Sequence, residues 1–525
     1  MAVTQSDLAT LHEAIAEELA DQPCVIAERT FTWRETTERT RRLAAVLRAH
    51  GLGRRRPGAA TPAWETGQDH LGVYLHNGSE YLESVLGAHK ASLAPFNINY
   101  RYTSDELAYL LRDARADALV YGERFTPVLA EALTGLDHRP LLLCVADGSG
   151  HPLLDGAIDY EVALAAADPA DGVPETSADD RHLLYTGGTT GMPRGVIWRV
   201  GDMLSGPMGV REGRLSRGRA LPAPPLMHGA GIGFAFGGWL GGATVVIQPN
   251  PERFDAATLW ETVERQGVTS LMIVGDAFGT PLVEDLERSA RKLPELRLIV
   301  NSGAVLREET KARLRELLPH VRLADVLGSS ETGLHARRGS GGGNRFESRG
   351  NAIVLDETRT RLLVPGEPEV GWLAQGGSIP LGYLGDPEKT AATFVTVDGR
   401  RFSVPGERAR LLADGIEFLG RDATTINTGG EKVFAEEVEA VLRAVPGVLD
   451  ALVVGRPSER WGQEIVALYH PSEEGVAAAE LARGCREVLA GYKVPKAFVR
   501  VDEVRRQANG KVDYAWARQM IKETE

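Results

Sequence analysis

The stretch from Leu183 to Val196, LLYTGGTTGMPRGV, sets an apolar run ahead of Thr-Gly-Gly-Thr-Thr-Gly. Those residue types at that spacing suit a phosphate group. Glycines let the backbone come close and expose its N–H groups, and hydroxyls add donors, so an anion can be cradled without a cation. Thr186, Thr189 and Thr190 supply hydroxyls, while Gly187, Gly188 and Gly191 supply the close approach. The Gly-Lys-Ser/Thr ending of a Walker loop is missing, so this loop brings no lysine of its own. Taken alone, the segment also reads as an ordinary glycine-rich strand-to-helix turn.

Such a loop needs a scaffold, and the flanking sequence describes one. The apolar segments LGVYL, ALVYG, RPLLLCV, GATVVI, TSLMIVG and LRLIV alternate with helical stretches. That alternation predicts an α/β fold of parallel-rich sheets covered by helices. The chain opens on an amphipathic helix with Leu8, Leu11, Ile15 and Leu19 on one face and Ser6 or Thr4 as its cap. A strand then leads into a second helix ending at Gly51, and residues 52–69, rich in Arg, Pro and Gly, read as a surface loop. Near residue 365 the pattern changes to short strands broken by Gly, Pro and Asp-Gly turns. From about Gly420 a small α+β unit follows, with helix AEEVEAVLRAV, strand DALVVG and helix AAAELARGCREVLA. The reading is two domains, 1–420 and 421–525.

Composition narrows the function. With 525 residues, 43% hydrophobic and 25% charged, the chain is long enough for several cores. Its net charge of -13 and lack of a long basic run argue against a nucleic-acid partner, because phosphate-backbone binding needs concentrated positive charge. Cys24, Cys144 and Cys485 are too far apart to suggest a disulfide framework or a zinc site, which fits a reducing cytoplasm. The first twenty residues carry acids and no apolar core, unlike a signal peptide, and no apolar run approaches membrane-spanning length. The expectation is a cytoplasmic protein with no membrane span. Nothing in the sequence fixes the oligomeric state, a homodimer included.

Six further segments follow the glycine-rich loop in order: PLMHGAG (225–231), NSGAV (301–305), LGSSETG (327–333), VPGERARLLADG (404–415), GRDATTINTGGEKVF (420–434) and NGKVD (509–513). In that order the set resembles the adenylate-forming superfamily of acyl-CoA synthetases, peptide-synthetase adenylation domains and luciferases. The resemblance runs from about residue 10 to 518. It is similar in particular to bacterial fatty-acid and steroid-side-chain acyl-CoA ligases, where the loop likewise reads Tyr-Thr-Gly-Gly-Thr-Thr-Gly. The segments NINYRYTSDELAYLL and VGDAF share that likeness. It implies the adenylate-forming fold, a large N-terminal domain and a small mobile C-terminal one, with ATP, Mg²⁺, CoA and a small-molecule acid as its ligands.

Roles follow from the resemblance residue by residue. The loop Thr186, Gly187, Gly188, Thr189, Thr190 and Gly191 would hold the β- and γ-phosphates, with Thr189 and Thr190 as the best hydroxyl donors. Glu331, together with Thr190, would place Mg²⁺, and Thr332 would reach the α-phosphate. Gly303, Ala304, Asp325, Gly328 and Ser329 would frame adenine. His228 would gate the acyl pocket, beside Gly229 and Gly231. The glycines of GAGIGFAFGGWLGG either make room for a bulky acyl group or let a helix pack tightly. Arg421 would bind ribose or phosphate, Ala423 beside Asp422 would be the hinge, and Gly430 and Lys432 would line a pantetheine tunnel. Lys511 would bridge the acid and the α-phosphate, offsetting the repulsion of two anionic groups that must meet.

Two positions depart from the pattern. Glu407 stands where the family has a ribose-binding aspartate, so its carboxylate sits one methylene further out. Arg194 takes the usual place of a lysine, and the two are not interchangeable. The implied function is AMP-forming activation of a bulky or ring-containing acid and its transfer to CoA. Three alternatives share the nucleotide chemistry or the fold: transfer to a carrier-protein phosphopantetheine, a diazotase that activates nitrous acid for an aromatic amine, and a nucleotide-binding scaffold that has lost catalysis. The intact NTGGEKV favours the ligase.

Overall fold

The computed structural model describes all residues except 1–6, 59, 175, 189–190, 211–214, 290, 305, 339–344, 349–350, 422–424, 429–430, 459–461, 474, 490, 507–511 and 524–525. Thr189, Thr190, Asp422, Ala423, Gly430 and Lys511 therefore lie outside the described residues, and only the backbone is described at Arg421 and Lys432. The first helix, Leu8–Leu19, buries Leu8, Ile15 and Leu19. Its cap is Asp7, whose side chain accepts from the Thr10 amide at 2.8 Å, rather than Ser6 or Thr4. The capping position is the residue directly before the first helical one, and that residue is Asp7. The helices Trp33–Ala49 and Ser104–Asp113 both start from capping boxes, Thr32 with Glu35 and Thr103 with Glu106.

The chain forms two compact units, Met1–His335 with Gly377–Val395 and Ala336–Gly376 with Thr396–Glu525. In the first unit, the strands Ala94–Asn97, His70–Tyr74, Ala118–Gly122 and Leu141–Val145 run parallel as neighbours. Nearly every residue in them is buried, as expected of strands covered on both faces. The hairpin Arg181–Gly188 and Gly191–Arg199 extends this sheet, joined through Phe96 opposite Leu183, and the short strand Gly382–Tyr383 pairs with its outer arm. A second parallel array in the same unit runs Pro23–Ile26, Thr244–Val246, Arg219–Pro222, Ser270–Ile273, Leu298–Ser302 and Arg322–Ser329. The alternation seen in the sequence is thus two helix-covered parallel sheets.

The segment 52–69 is irregular, as its composition predicts, but its end is not surface. Thr66, Gln68 and Asp69 are buried. Gln68 donates to the Ser92 carbonyl at 2.8 Å and accepts from the Arg181 amide at 2.7 Å, while Asp69 accepts from the Gly53 amide at 2.8 Å and pairs with Arg55. These polar side chains satisfy loop and strand-end backbone groups, which is why they can be buried at all.

The second unit contains the antiparallel strands Arg345–Ser348, Gly415–Arg421, Glu407–Leu412, Val370–Gly376 and Arg400–Ser403. It also contains a separate five-stranded sheet centred on the long pair Val448–Ser458 and Gly462–Pro471. Helices Ala435–Arg443 and Ala478–Val488 bury Val438, Leu442, Leu481 and Cys485 against this sheet. Leu452, Val466 and Leu468 form another cluster with Ile521 of the helix Tyr514–Glu523. Among the described residues, no helix is long and apolar enough to cross a membrane.

Glu439 is a buried acid in this sheet's core, accepting from the Val453 amide at 3.0 Å. Burial pushes its carboxyl up to about 7, with Arg443 lowering it and Glu436 and Asp450 raising it further. The folded state therefore binds a proton that the unfolded chain releases, and the stability tied to it is lost as pH rises from about 4.5 through 7. Glu439→Gln keeps an acceptor for Val453 and removes the charge. It is expected to raise the melting temperature by about 2–4 °C at pH 8 and by nothing at pH 4.5, measured by thermal denaturation. A gain that is equal at both pH values would contradict the assignment.

Candidate active site

The described residues of the glycine-rich segment belong to two paired antiparallel strands, not to a strand followed by a helix. Thr186 pairs with Arg194, and Gly188 with Gly191, after an irregularity between Thr186 and Gly188. Both arms are anchored below the tip. A Cβ on Gly195 would come within 2.9 Å of the Tyr185 ring, so the ring lies directly over that glycine. The Tyr185 hydroxyl donates to Asp113 at 2.6 Å. Asn97 accepts from the Tyr185 amide at 2.8 Å and donates to the carbonyls of Tyr185 and Met227 at 2.9 and 2.6 Å. This one buried amide thus fixes the hairpin base to the segment that leads into His228.

The same segment has a second anchor. Asn77 donates to the Pro224 carbonyl at 3.1 Å and accepts from the Leu226 amide at 2.7 Å. His228, half-buried, occupies the cap position of helix Gly229–Trp239. The glycines here answer the question of room or packing. A Cβ on Gly231 would stand 2.5 Å from the Pro225 carbonyl oxygen, and one on Gly237 would stand 2.2 Å from that of Met208. They let the helix lie against neighbouring backbone.

The turn that carries Glu331 is tied to the hairpin from two sides. The Trp198 indole donates to the Ser330 carbonyl at 2.9 Å, and Trp198 is fully buried. The Tyr383 hydroxyl donates to Glu331 Oε1 at 3.1 Å. Tyr383 belongs to the strand paired with the outer hairpin arm, opposite Val196, and its amide donates to Thr390 Oγ1 at 2.9 Å. Burial and the neighbouring Glu331 both push its phenol up, so it remains a donor. Thr332 is 2% exposed. Its hydroxyl accepts from the Ser329 amide at 3.1 Å and lies 2.9 Å from the Ser329 hydroxyl. Accepting from the Ser329 amide, this hydroxyl closes the turn and keeps its own proton to donate. Arg194 is half-exposed, 3.9 Å from Asp386.

The predicted adenine frame lies at the C-terminal ends of three neighbouring parallel strands, where Ile273, Asn301 and Asp325 stand in register. Gly303 is exposed and holds φ at +81°, a conformation that disfavours any side chain there. Ala304, Gly328 and Ser329 follow on the same edge. In the second unit Glu407 is 7% exposed and pairs in register with Arg421 across the antiparallel ladder. Lys432 stands opposite Asn427. A surface cleft of about 680 Å³, lined by Leu286, Arg291, Pro294, Arg297, Leu317 and His320 among others, shares no residue with these motifs.

Among the described residues, no group of three or more His, Cys, Asp or Glu could hold a metal. A lone, oriented carboxylate such as Glu331 still suits Mg²⁺, which takes one or two carboxylates and leaves its other positions to water and phosphate. Tyr383, Asn97, Asn77 and Trp198 were not singled out in the sequence. Tyr383 sits in the Gly/Pro-framed LGYLGDPEKT, and only its aromatic character in a loop segment hinted at a role.

Comparison with known proteins gives concordant results. A family profile described as AMP-binding enzyme matches residues 12–370, and one described as AMP-binding enzyme C-terminal domain matches residues 437–511. The chain is 43% identical over 531 residues to the medium-chain acyl-CoA ligase Mig of Mycobacterium avium, covering 97% of this chain and 96% of that one. It is 36% identical over 522 residues to the 3-oxocholest-4-en-26-oate–CoA ligase of Rhodococcus rhodochrous, covering 93% and 91%. Among solved structures, the anthranilate CoA ligase AuaEII in complex with anthranoyl-AMP superposes with a TM-score of 0.83 at 20% identity, covering all of both chains. ATP-bound MatB from Rhodopseudomonas palustris gives 0.82 at 24% identity, covering 99% of this chain and 100% of that one. At that identity the two structures speak for the fold alone.

Proposed function

Because the chain belongs to the AMP-binding enzyme family, we propose that the hairpin, the Glu331 turn and the strand ends around Gly303 form the ATP site of an AMP-forming acyl-CoA ligase. The observation that carries the activity is identity to acyl-CoA ligases along nearly the whole chain. The diazotase and scaffold alternatives are not favoured.

The reaction runs in two steps. A carboxylate oxygen of the acid attacks the α-phosphorus of ATP, the bond to the bridging oxygen breaks, and pyrophosphate leaves. The thiol of CoA then attacks the acyl carbonyl, loses its proton and expels AMP. No protein nucleophile is needed, so the residues act by positioning and charge.

In our reading the hairpin tip, with Thr186, Thr189, Thr190 and its glycines, holds the outer phosphates. Glu331 and Thr190 hold Mg²⁺, which when bound neutralises phosphate charge. Gly303, Ala304 and Asp325 to Ser329 frame the base, and Glu407 and Arg421 hold the ribose. Asn97 and Trp198 keep hairpin and turn in fixed relation, and Tyr383 orients the Glu331 carboxylate. The domain boundary relevant to function is 420/421, with residues 421–525 bringing Lys511 for adenylation and Gly430 with Lys432 for the thiol step. One mobile domain would then serve both half-reactions.

The acid is proposed to be a medium-chain or ring-bearing aliphatic acid, the classes named in the two relatives. The test is AMP release with ATP, Mg²⁺ and a panel of acids from C4 to C16 and steroid side-chain acids, with and without CoA. Acid-dependent AMP and a thioester seen by mass spectrometry are expected, with medium-chain or steroidal acids preferred about tenfold or more, as a few buried methylenes allow. AMP that requires nitrite and an aromatic amine and ignores CoA would overturn the reading.

A further inference from the structure

One carboxylate outside the sequence motifs is bound to the hairpin through a single side chain. Asp113 ends the helix Ser104–Asp113 and is half-buried. Tyr185 stands opposite Gly195 in the hairpin ladder, and its ring folds over that glycine as far as the hydroxyl, which would lie 3.1 Å from a Cβ there. The hydroxyl continues to Asp113 Oδ2 at 2.6 Å, the length of a hydroxyl donating to an ionised carboxylate. Burial and the neighbouring Asp113 push the Tyr185 phenol up, so it stays protonated as the donor. Asn97 fixes the same residue at both its amide and its carbonyl. Tyr185 is thus held at backbone and ring, and the ring straps one arm of the hairpin over the other.

The far end of the strap is firmly seated. Leu107, Leu110 and Leu111 of the helix are fully buried and share a core cluster with Tyr185 and Phe96. The carbonyl of Ala114, directly after Asp113, is bonded to His70 Nδ1 on a central strand. Helix stability does not explain the acid, because a carboxylate in the last helical turn faces the negative end of the helix dipole. Its place is accounted for by what it holds. The loop beyond needs such support: glycine loses more conformational freedom on ordering than any other residue, and Gly187, Gly188 and Gly191 follow the strapped pair toward the end of the hairpin.

We propose that Asp113 is a positioning residue for the ATP half-reaction, acting through Tyr185 to hold the glycine-rich hairpin ready for the outer phosphates. The proposal rests on the reading that this hairpin holds the β- and γ-phosphates. Asp113 touches no substrate. Its effect is confined to steps in which those phosphates are present: adenylation, and its reversal from acyl-adenylate and pyrophosphate. Attack of the CoA thiol on acyl-adenylate involves neither phosphate and does not need the strap.

Tyr185→Phe keeps the ring over Gly195 and removes its bond to Asp113. In the full-length enzyme it is expected to raise the KM for ATP in adenylation and the KM for pyrophosphate in the reverse reaction by about tenfold each, the lower end for a hydrogen bond to a charged group. Thioester formation from supplied acyl-adenylate and CoA should keep the wild-type rate. Asp113→Ala should reproduce this pattern. Asp113→Asn retains an acceptor for the hydroxyl and should restore most of the wild-type KM. Because the two residues act as one unit, Tyr185→Phe combined with Asp113→Ala should be no worse than either alone. If Tyr185→Phe does not fold, Asp113→Ala and Asp113→Asn pose the same comparison.

Equal slowing of both half-reactions would mean a structural role and overturn the proposal. So would additive losses in the double variant, or a Tyr185→Phe enzyme with wild-type KM for ATP and pyrophosphate. Wild-type protein that neither binds ATP in calorimetry nor exchanges pyrophosphate would instead overturn the ATP reading itself, and the proposal with it.

Discussion

Lys511→Ala is expected to slow acyl-adenylate formation on the order of 10²-fold or more, measured as pyrophosphate release in a single turnover. In that step a carboxylate must approach an α-phosphate, so like charges are forced together and charge builds on the departing pyrophosphate. A cation placed between them offsets both. The glycine-rich hairpin carries no lysine and its Arg194 stands 3.9 Å from Asp386, so the Asn-Gly-Lys of NGKVD is the candidate for the cation. The second half-reaction brings together a thiol and an already neutralised acyl group. Thioester formation from supplied acyl-adenylate should therefore stay near the wild-type rate. Equal slowing of both steps would point to a folding defect, and no slowing would make Lys511 an ordinary surface lysine.

Glu331→Gln should produce a loss of similar size, on the order of 10²-fold in adenylation. The substitution is close in shape and retains an oxygen that can accept from Tyr383, so what is removed is charge. The variant is expected to need more Mg²⁺ for half-maximal rate, read from a titration at fixed ATP. Tyr383→Phe is the counterpart that keeps the charge and releases the tether; it should cost less, about tenfold or under. A Glu331→Gln enzyme with wild-type rate and Mg²⁺ dependence would remove Glu331 from the metal site.

Much of the fold was legible because its strands are runs of apolar residues separated by helix-length amphipathic stretches, a signal carried locally. LGVYL and ALVYG became parallel neighbours as that pattern predicts. The motif segments were legible for a different reason: Gly, Thr and single charged residues gather where backbone meets ligand. What escaped notice depends on long-range partners. Tyr383 meets Glu331 across 52 positions, and Asn97 meets Tyr185 across 88. No local periodicity encodes such pairs. The buried end of 52–69 escaped for the same reason, since Gln68 and Asp69 look like surface residues until Ser92, Arg181 and Arg55 are found beside them. The Asp7 cap was missed by one residue, because Ser, Thr and Asp at adjacent positions compete on nearly equal terms.

Helix Gly229–Trp239 presses Gly231 and Gly237 onto the carbonyl groups of Pro225 and Met208. Contact between main chains leaves no side-chain layer to compress, so this element behaves as a stiff rail rather than an adjustable wall. Selectivity drift, whether by natural divergence or in a mutant library, should then be confined to a side chain the rail leaves partly exposed, Phe234, since Ile232 and Phe236 are buried in the core. Randomising its glycines would yield mostly unfolded protein, as would truncating the buried Ile232 or Phe236, whereas randomising Phe234 should yield folded enzymes with altered acid preferences.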